Sequence, residues 1–148
     1  MRASIALALS FSLTAAAAIA ADLPNPPTGP ILEKDGWRFV SYSDGTSVYM
    51  KRPPAKELRA PVRQVWTVYD SEKARDRMGF AFMSVASLGE YDCQKRLSRV
   101  VRETFHSMRG LTGETWVQPN FIPTQWAPPG EGTVGEARMD FACPKGKV

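Results

Sequence analysis

The two cysteines are the residues whose chemistry the sequence shows most directly. Cys93 ends the strand-like stretch Gly79–Cys93, and Cys143 stands near the end of the sequence. In an exported protein such a pair persists as a disulfide. Two free thiols or a metal pair are the alternatives, but the lone His106 has no metal-ligand spacing to either cysteine. We predict a Cys93–Cys143 disulfide, no metal site and no cofactor.

No residues stand in the spacing of a catalytic site. A serine or cysteine nucleophile needs a base, and the only histidine, His106, is expected to be a surface or half-buried strand residue. The acidic pairs Asp70/Glu72 and Glu90/Asp92 are expected to be solvated, as such carboxylates usually are. We predict a non-enzymatic protein. A periplasmic enzyme, or an enzyme accessory protein with an unidentified groove, is the alternative.

A basic cluster is the remaining candidate for a functional site. Lys73, Arg75 and Arg77 lie in the charged connection Asp70–Met78, which lacks an apolar stripe and is predicted to be an exposed loop rather than a helical turn. Alternate residues of an extended chain point the same way, so the three cations can dock an acidic partner. A merely solvated loop is the other interpretation.

The segments that precede the fold direct the chain out of the cytoplasm. Residues 1–20 have the features of a cleaved signal peptide: Arg2, the apolar run Ile5–Leu13 and the small residues Ala18 and Ala20. No cysteine near this point offers a lipid anchor, so we predict no stable membrane anchor after cleavage and a periplasmic or extracellular location. Residues 21–36 are predicted to be a Pro-rich linker, and residues 37–148 the domain.

Strand-like patterns fill the first part of the domain. Trp37–Ser43 and Thr46–Lys51 flank Asp44-Gly45, which predicts a hairpin with a type I′ turn. Three further segments have strand composition: Val62–Tyr69, Gly79–Cys93 and Glu114–Gln118. Lys56–Ala60 and Pro119–Gly132 are predicted to be loops, the second pinned by Phe121 and Trp126.

One segment, Gln94–Met108, fits two structures. Its apolar residues follow helical spacing, which favours a helix. However, Leu97, Val101 and Phe105 also share one side of a strand. The periodicity alone favours a helix, and the choice of strand rests on the resemblance described below.

A helix is predicted near the end of the domain. Thr133 and Glu136 have the spacing of a capping box, and Pro144 follows the last helical residue. The predicted buried stripe consists of Val134, Ala137 and Phe141.

The net charge says little about the function. The 148-residue chain has a net charge of +4 with charges of both signs, which does not argue for nucleic acid.

An ordered set of residues resembles the bacterial surface-adhesin protein E-like family. The matching residues are Trp37, Val48-Tyr49, the run VWTVYD that contains Trp66 and ends at Asp70, Ser84, Glu90-Tyr91-Asp92-Cys93, Arg96, Phe105, Gly110, Gly113, Trp126, Pro129-Gly130, Gly135-Glu136 and Ala142-Cys143. We predict that six of the residues named so far are structural: Trp37, Trp66, Trp126, Thr133, Glu136 and Phe141.

The resemblance implies a fold and a function. The fold is α+β: one antiparallel sheet of about six strands, with one C-terminal helix packed on it and tied by the disulfide. The family's best-known member resembles a dimeric adhesin for host matrix and serum glycoproteins, whose basic region corresponds in position to Lys73, Arg75 and Arg77. That adhesin is lipid-anchored, whereas this sequence has no lipidation cysteine. The implied partner is a protein or glycoprotein of the envelope or host surface, and a homodimer is also implied.

Overall fold

The computed structural model describes residues 23–144, and the predicted signal peptide lies outside the described residues. Six strands form one antiparallel sheet in sequence order, and one helix follows them. Their bounds are β1 Trp37–Ser43, β2 Thr46–Lys51, β3 Val62–Arg77, β4 Phe80–Asp92, β5 Leu97–Met108, β6 Thr112–Val117 and α1 Val134–Ala142. The predicted fold class is therefore confirmed. Within residues 23–144, every helix is too short or too polar to cross a membrane.

The first hairpin forms as its turn chemistry dictates. β1 and β2 have the predicted bounds, and the turn residues Asp44 and Gly45 have φ angles of 49° and 69°. Two successive positive φ angles are what a type I′ turn requires. Beyond β2, the predicted loop Lys56–Ala60 contains a 3-10 turn at Glu57–Arg59.

The charged connection Asp70–Met78 is mostly strand, so the predicted loop is wrong. β3 continues through it to Arg77, and a tight turn at Met78-Gly79 leads into β4. The pairing of β3 with β4 is irregular here: four residues of β3, 71–74, lie opposite a single residue of β4, Met83. Both faces of this hairpin end are exposed from Glu72 to Gly79, so no apolar alternation marks it as strand. The strand conformation of this segment therefore comes from pairing with β4 and not from its own apolar pattern.

The ambiguous segment is a strand, β5, and its helical periodicity misleads. Val100 pairs with Gly89 and Arg102 with Leu88, which leaves Val101 as a bulge between them. A bulge inserts one residue and shifts the alternation of faces. Val101 therefore joins the core on one face and Phe105 lies on the other, so apolar side chains recur at a spacing that imitates a helix.

Two apolar clusters cover the two faces of the sheet. On the face of the sheet that points away from α1, which we call the opposite face, the cluster includes Trp37 and Trp66. Leu23 and Ile31 pack against this cluster. The described part of the predicted linker thus contacts the sheet instead of extending away from it. On the other face, which we call the helix face, a second cluster lies between the sheet and α1. Its buried members are Met50, Val65, Tyr91, Met139, Ala142 and Cys143.

The disulfide joins the end of β4 to the end of α1, as predicted. Cys93 and Cys143 have an S–S distance of 2.04 Å and a Cα–Cα distance of 5.4 Å. The chain-entropy argument for the 50-residue separation gives about 4 kcal/mol of stabilisation. Arg63 lies beneath the same end of α1, where its Nη1 donates to the carbonyl oxygen of Ala142 at 2.7 Å. A cation at a helix C-terminus is favourable because the last carbonyl oxygens lack partners.

The start of α1 has the predicted cap with one difference. The Thr133 hydroxyl accepts a hydrogen bond from the Glu136 N–H at 3.4 Å. The Glu136 carboxylate, however, accepts from the Gly132 N–H at 2.7 Å, one residue before the N–H that a capping box uses.

The predicted buried stripe of α1 is wrong. Met139 and Ala142 are the buried helical residues, whereas Val134, Ala137 and Phe141 are only partly buried. Phe141 still packs at the margin of the second cluster. The fully buried side is the one nearest Cys143, so the disulfide and the sheet surface set the rotation of this short helix.

The loop 118–133 protects half of a strand edge. β6 pairs only with Thr104–Met108, but the loop continues along the other half of β5 through a bridge between Ala127 and Ser98. Trp126, which is 37% exposed, lies in this loop with the Arg99 guanidinium 4.7 Å from its ring centroid. This contact joins the loop to β5.

Candidate functional site

The helix covers only one end of the helix face. At the other end, towards the β3–β4 hairpin, the sheet is open and forms a groove of about 380 Å³, which we call the open groove. The side chains that give it chemical character are Tyr69, Arg75, Arg77, Phe82, Glu103 and Phe105. Because β3, β4 and β5 are adjacent, residues far apart in the sequence meet here on one face.

Arg138 marks the boundary between the covered and the open ends. It projects from α1, and its Nη1 donates to the Tyr69 hydroxyl while Nε donates to the Tyr91 hydroxyl at 3.1 Å. Burial acts to lower the pKa of Arg138, but the oxygens of Tyr91 and Tyr69 outweigh it and the pKa is raised. Burial raises the pKa of Tyr69 to about 12 despite the opposing charge of Arg138, so this phenol stays neutral.

Glu103 is the unusual group of the groove. Its pKa is raised chiefly by burial, and the charges of Arg77 and Arg138 oppose that shift only in part. Within residues 23–144 its carboxylate accepts no hydrogen bond and has no cation within 4 Å. Half-buried carboxylates usually have such partners. Glu103 therefore offers acceptor atoms that no described donor occupies, on a carboxylate that is partly removed from water.

Aromatic rings form one wall, which we call the aromatic row. Phe82 and Phe105 meet edge to face with ring centroids 5.0 Å apart, and Trp116 lies 5.4 Å from Phe105. Phe80 stacks on Trp116 at 6.1 Å and completes the row. Phe82 and Phe105 line the groove itself, so the polar floor has an apolar wall beside it.

The structure brings two of the three predicted cations to this groove. The Arg75 guanidinium donates to the Thr46 hydroxyl at 2.9 Å, and that of Arg77 donates to the Gln118 side-chain oxygen at 3.2 Å. Lys73 instead lines a separate surface hollow with Tyr42 and Glu72, which Arg75 also borders. The irregular pairing at residues 71–74 separates Lys73 from the groove.

Sequence reasoning did not single out Tyr69, Glu103 or Arg138. A usable signal existed only for Glu103, which stands between Val101 and Phe105 in a strand with apolar residues on both faces. A charged residue at such a position becomes noticeable once the segment is assigned as strand. Tyr69 looks like any strand aromatic residue, and Arg138 looks like any polar helix residue.

Three of the acidic residues expected to be solvated have structural partners instead. Asp92 accepts from the backbone N–H groups of Gln94 and Lys95 at 3.1 and 2.9 Å. Asp70 is 7% exposed and accepts from the Arg109 guanidinium at 2.8 and 3.0 Å and from the Gly110 N–H at 2.8 Å. Glu90 accepts from Arg99 at 2.7 Å. The expectation of solvation is therefore wrong for these residues, because pairing with Arg109 of the β5–β6 turn and with Arg99 of the neighbouring strand β5 makes the burial of Asp70 and Glu90 tolerable.

His106 is buried, not superficial as the sequence suggested. It is 2% exposed, and burial lowers its pKa. Because it follows Phe105 in β5, it faces the opposite side of the sheet and has no access to the open groove. Over residues 23–144, no group of three or more His, Cys, Asp or Glu side chains is placed to hold a metal ion.

The groove therefore has the groups needed for noncovalent recognition: free acceptor atoms, cations and an apolar wall.

Comparison with known proteins identifies the family of this chain. Residues 37–144 match the family model described as surface-adhesin protein E. No curated protein matches the chain, and no solved structure matches it. The matched range includes every strand, the helix and both cysteines. The chain therefore belongs to the surface-adhesin protein E family.

Proposed function

We propose that this protein is an exported adhesin that binds an acidic protein or glycoprotein of the host or envelope surface. The observation that carries the proposal is the exposed end of the β3–β4 hairpin, which holds Arg75 and Arg77 above the open groove. A surface location agrees with the family to which the chain belongs. The sequence of residues 1–20 supports export by a cleaved signal peptide, and the intact mass of the secreted protein would test it.

Electrostatics supports the hairpin as the docking surface. The Arg75 guanidinium lies 3.8 Å from the Asp44 carboxylate, whose side chain is 97% exposed. Ion pairs this exposed contribute little, so a ligand carboxylate can replace Asp44 at small cost. Among the described residues, the hydrogen-bond partner of Arg77 is the neutral side-chain amide of Gln118. Both cations are therefore ready to attract an acidic partner, with a rate that falls as salt rises.

The carboxylates of the open groove allow the enzyme alternative to be weighed. A half-buried carboxylate with a raised pKa, such as Glu103, is a group that an acid–base enzyme would use. Hydrolysis of a glycoside needs a second carboxylate across the cleft. The other carboxylate of this groove, Asp76, already accepts the Gly79 N–H at 3.1 Å in the hairpin turn. This arrangement favours binding over catalysis.

The test is the association of the secreted protein with an immobilised matrix-glycoprotein extract at low and physiological salt. We expect Arg75→Ala/Arg77→Ala to slow association about tenfold at low salt and less at physiological salt. Lys73→Ala is the matched control, because it removes an exposed cation of the same hairpin that lies outside the groove. Equal association of the double variant and wild type would refute the proposal.

Both variants must also fold normally for this comparison to hold. Exposed substitutions usually change the free energy of unfolding by less than about 0.5 kcal/mol. Denaturation midpoints of the double variant and the Lys73→Ala control are therefore expected to equal that of wild type. If partner binding depends on Lys73 as strongly as on the two arginines, the docking surface is the whole hairpin and not the groove side.

A further inference from the structure

We propose that the open groove binds one acidic sugar unit of a glycan, with sugar hydroxyls donating to Glu103 and the sugar carboxylate paired with Arg75 and Arg77. The inference rests on the proposed adhesin function and specifies the ligand of that site. The groove presents three kinds of group together: the carboxylate of Glu103, the cations Arg75 and Arg77, and the apolar wall.

The spacing of these groups suits a single sugar ring. Tyr69 pairs with Val85 and Val85 with Phe105, so these side chains lie side by side across three strands. Neighbouring strands are about 4.8 Å apart, and Glu103 stands two residues, or about 7 Å, along β5 from Phe105. The groove of about 380 Å³ is within the size range of small-molecule sites.

Glu103 requires a ligand with hydrogen-bond donors. Its carboxylate is partly desolvated and unpaired within the described residues, so a ligand that donates to it replaces hydration that the fold has removed. Hydroxyl groups are the donors of a sugar ring. A purely anionic ligand would leave Glu103 unpaired and would also be repelled by it.

The aromatic row and the cations select the rest of the ligand. The partly exposed Phe82, packed edge to face on the buried Phe105, provides an apolar surface for the C–H face of a sugar ring. Arg75 and Arg77 present planar guanidinium groups, which hold a carboxylate by paired hydrogen bonds. A uronic-type sugar carries hydroxyls, a C–H face and a carboxylate on one ring, whereas the Asp and Glu side chains of an acidic peptide carry a carboxylate without hydroxyl donors or a ring face.

The experiment compares the affinity of wild type and Glu103→Gln for defined probes by titration calorimetry on the secreted protein. The main probe is a tetrasaccharide of alternating glucuronic acid and N-acetylglucosamine. Its carboxyl-reduced form tests the need for the acid, a sulfated tetrasaccharide tests sulfate as the source of charge, and a poly-glutamate peptide tests a protein partner. Glu114→Gln, an exposed carboxylate of β6 outside the groove, is the matched control.

The sign of the Glu103→Gln effect separates the alternatives. For a sugar that donates to Glu103, we expect the variant to lose affinity by about tenfold while Glu114→Gln binds as wild type does. For a general polyanion site, removal of a negative charge would strengthen binding. Unchanged or increased affinity for the tetrasaccharide, or equal binding of its carboxyl-reduced form, would overturn the inference.

The outcome is independent of the adhesin test. If Arg75→Ala/Arg77→Ala abolishes binding to the matrix extract but no acidic tetrasaccharide binds or competes, the adhesin function stands and the sugar ligand is wrong. Tighter binding of the poly-glutamate peptide by Glu103→Gln would then identify an acidic protein segment as the partner.

Discussion

The two ends of the helix face have the same strands but opposite character. At the covered end, Tyr91 of β4 and Met139 of α1 are almost fully buried between the sheet and the helix, and the disulfide fixes the helix there. At the open end, Glu103 is partly desolvated and has no hydrogen-bond partner among the described residues, while Arg75 and Arg77 donate to a neutral hydroxyl and a neutral amide. One half of the face is therefore built for stability, and the other keeps groups that stability alone would not select.

Arg138 shows how the two ends are connected. Its guanidinium contacts Tyr91 of the covered end and Tyr69 of the open groove. The position of the helix thus determines where the groove begins. The comparison predicts that substitutions at the covered end change stability, whereas substitutions at the open end change binding with little loss of stability.

The largest expected effect comes from the disulfide. Cys143→Ser removes the covalent tie of α1, and we expect the free energy of unfolding to fall by about 2–5 kcal/mol. Urea denaturation gives this value, and hydrogen exchange should show that α1 loses protection before β3 and β4 do. Cys93→Ser serves as the control because it breaks the same bond. A native protein with two reactive thiols would contradict the premise.

A smaller effect is expected at the start of α1. Thr133→Ala removes the hydroxyl that accepts the Glu136 N–H, which should cost about 1 kcal/mol. Thr133→Ser keeps the hydroxyl and should restore most of the stability. A denaturation midpoint equal to that of wild type would show that the Glu136 carboxylate and the disulfide hold this end without the cap.

The smallest effect on stability is expected from Glu103→Gln at the open end, and it is a gain where the two preceding substitutions cause a loss. Because the pKa of Glu103 is raised in the folded protein, the folded state binds more protons than the unfolded state between pH 4.5 and the raised pKa. The contribution of Glu103 to stability is therefore present at low pH and is lost as the pH rises through the raised pKa. Glu103→Gln lacks this loss.

Denaturation of wild type and Glu103→Gln at pH 4 and pH 7 measures this difference, because all other groups titrate alike in both proteins. The variant should gain stability relative to wild type as the pH rises from about 4 to 7. A Glu103→Gln protein that is less stable than wild type at pH 7 would show that the carboxylate has a structural partner, and the contrast between the two ends would fail.

How much of this could be predicted depended on how locally each feature is determined. The Asp44-Gly45 turn and the Thr133 cap follow from residues within one turn of each other, so the sequence predicted both. The disulfide followed from the presence of only two cysteines in an exported chain. The choice of strand for β5 required the family resemblance, since the bulge at Val101 gave its apolar residues a helical spacing.

The sequence by itself determined the Asp44-Gly45 turn, the cap, the disulfide and, through the family motif, the sheet with its helix. Only the tertiary structure decided that β3 continues to Arg77, that α1 buries Met139, and that Glu103 and Arg75 meet in one groove. The reason is physical. Turn and cap chemistry acts between neighbouring residues, whereas burial, strand register and the exposure of a carboxylate depend on partners from distant strands.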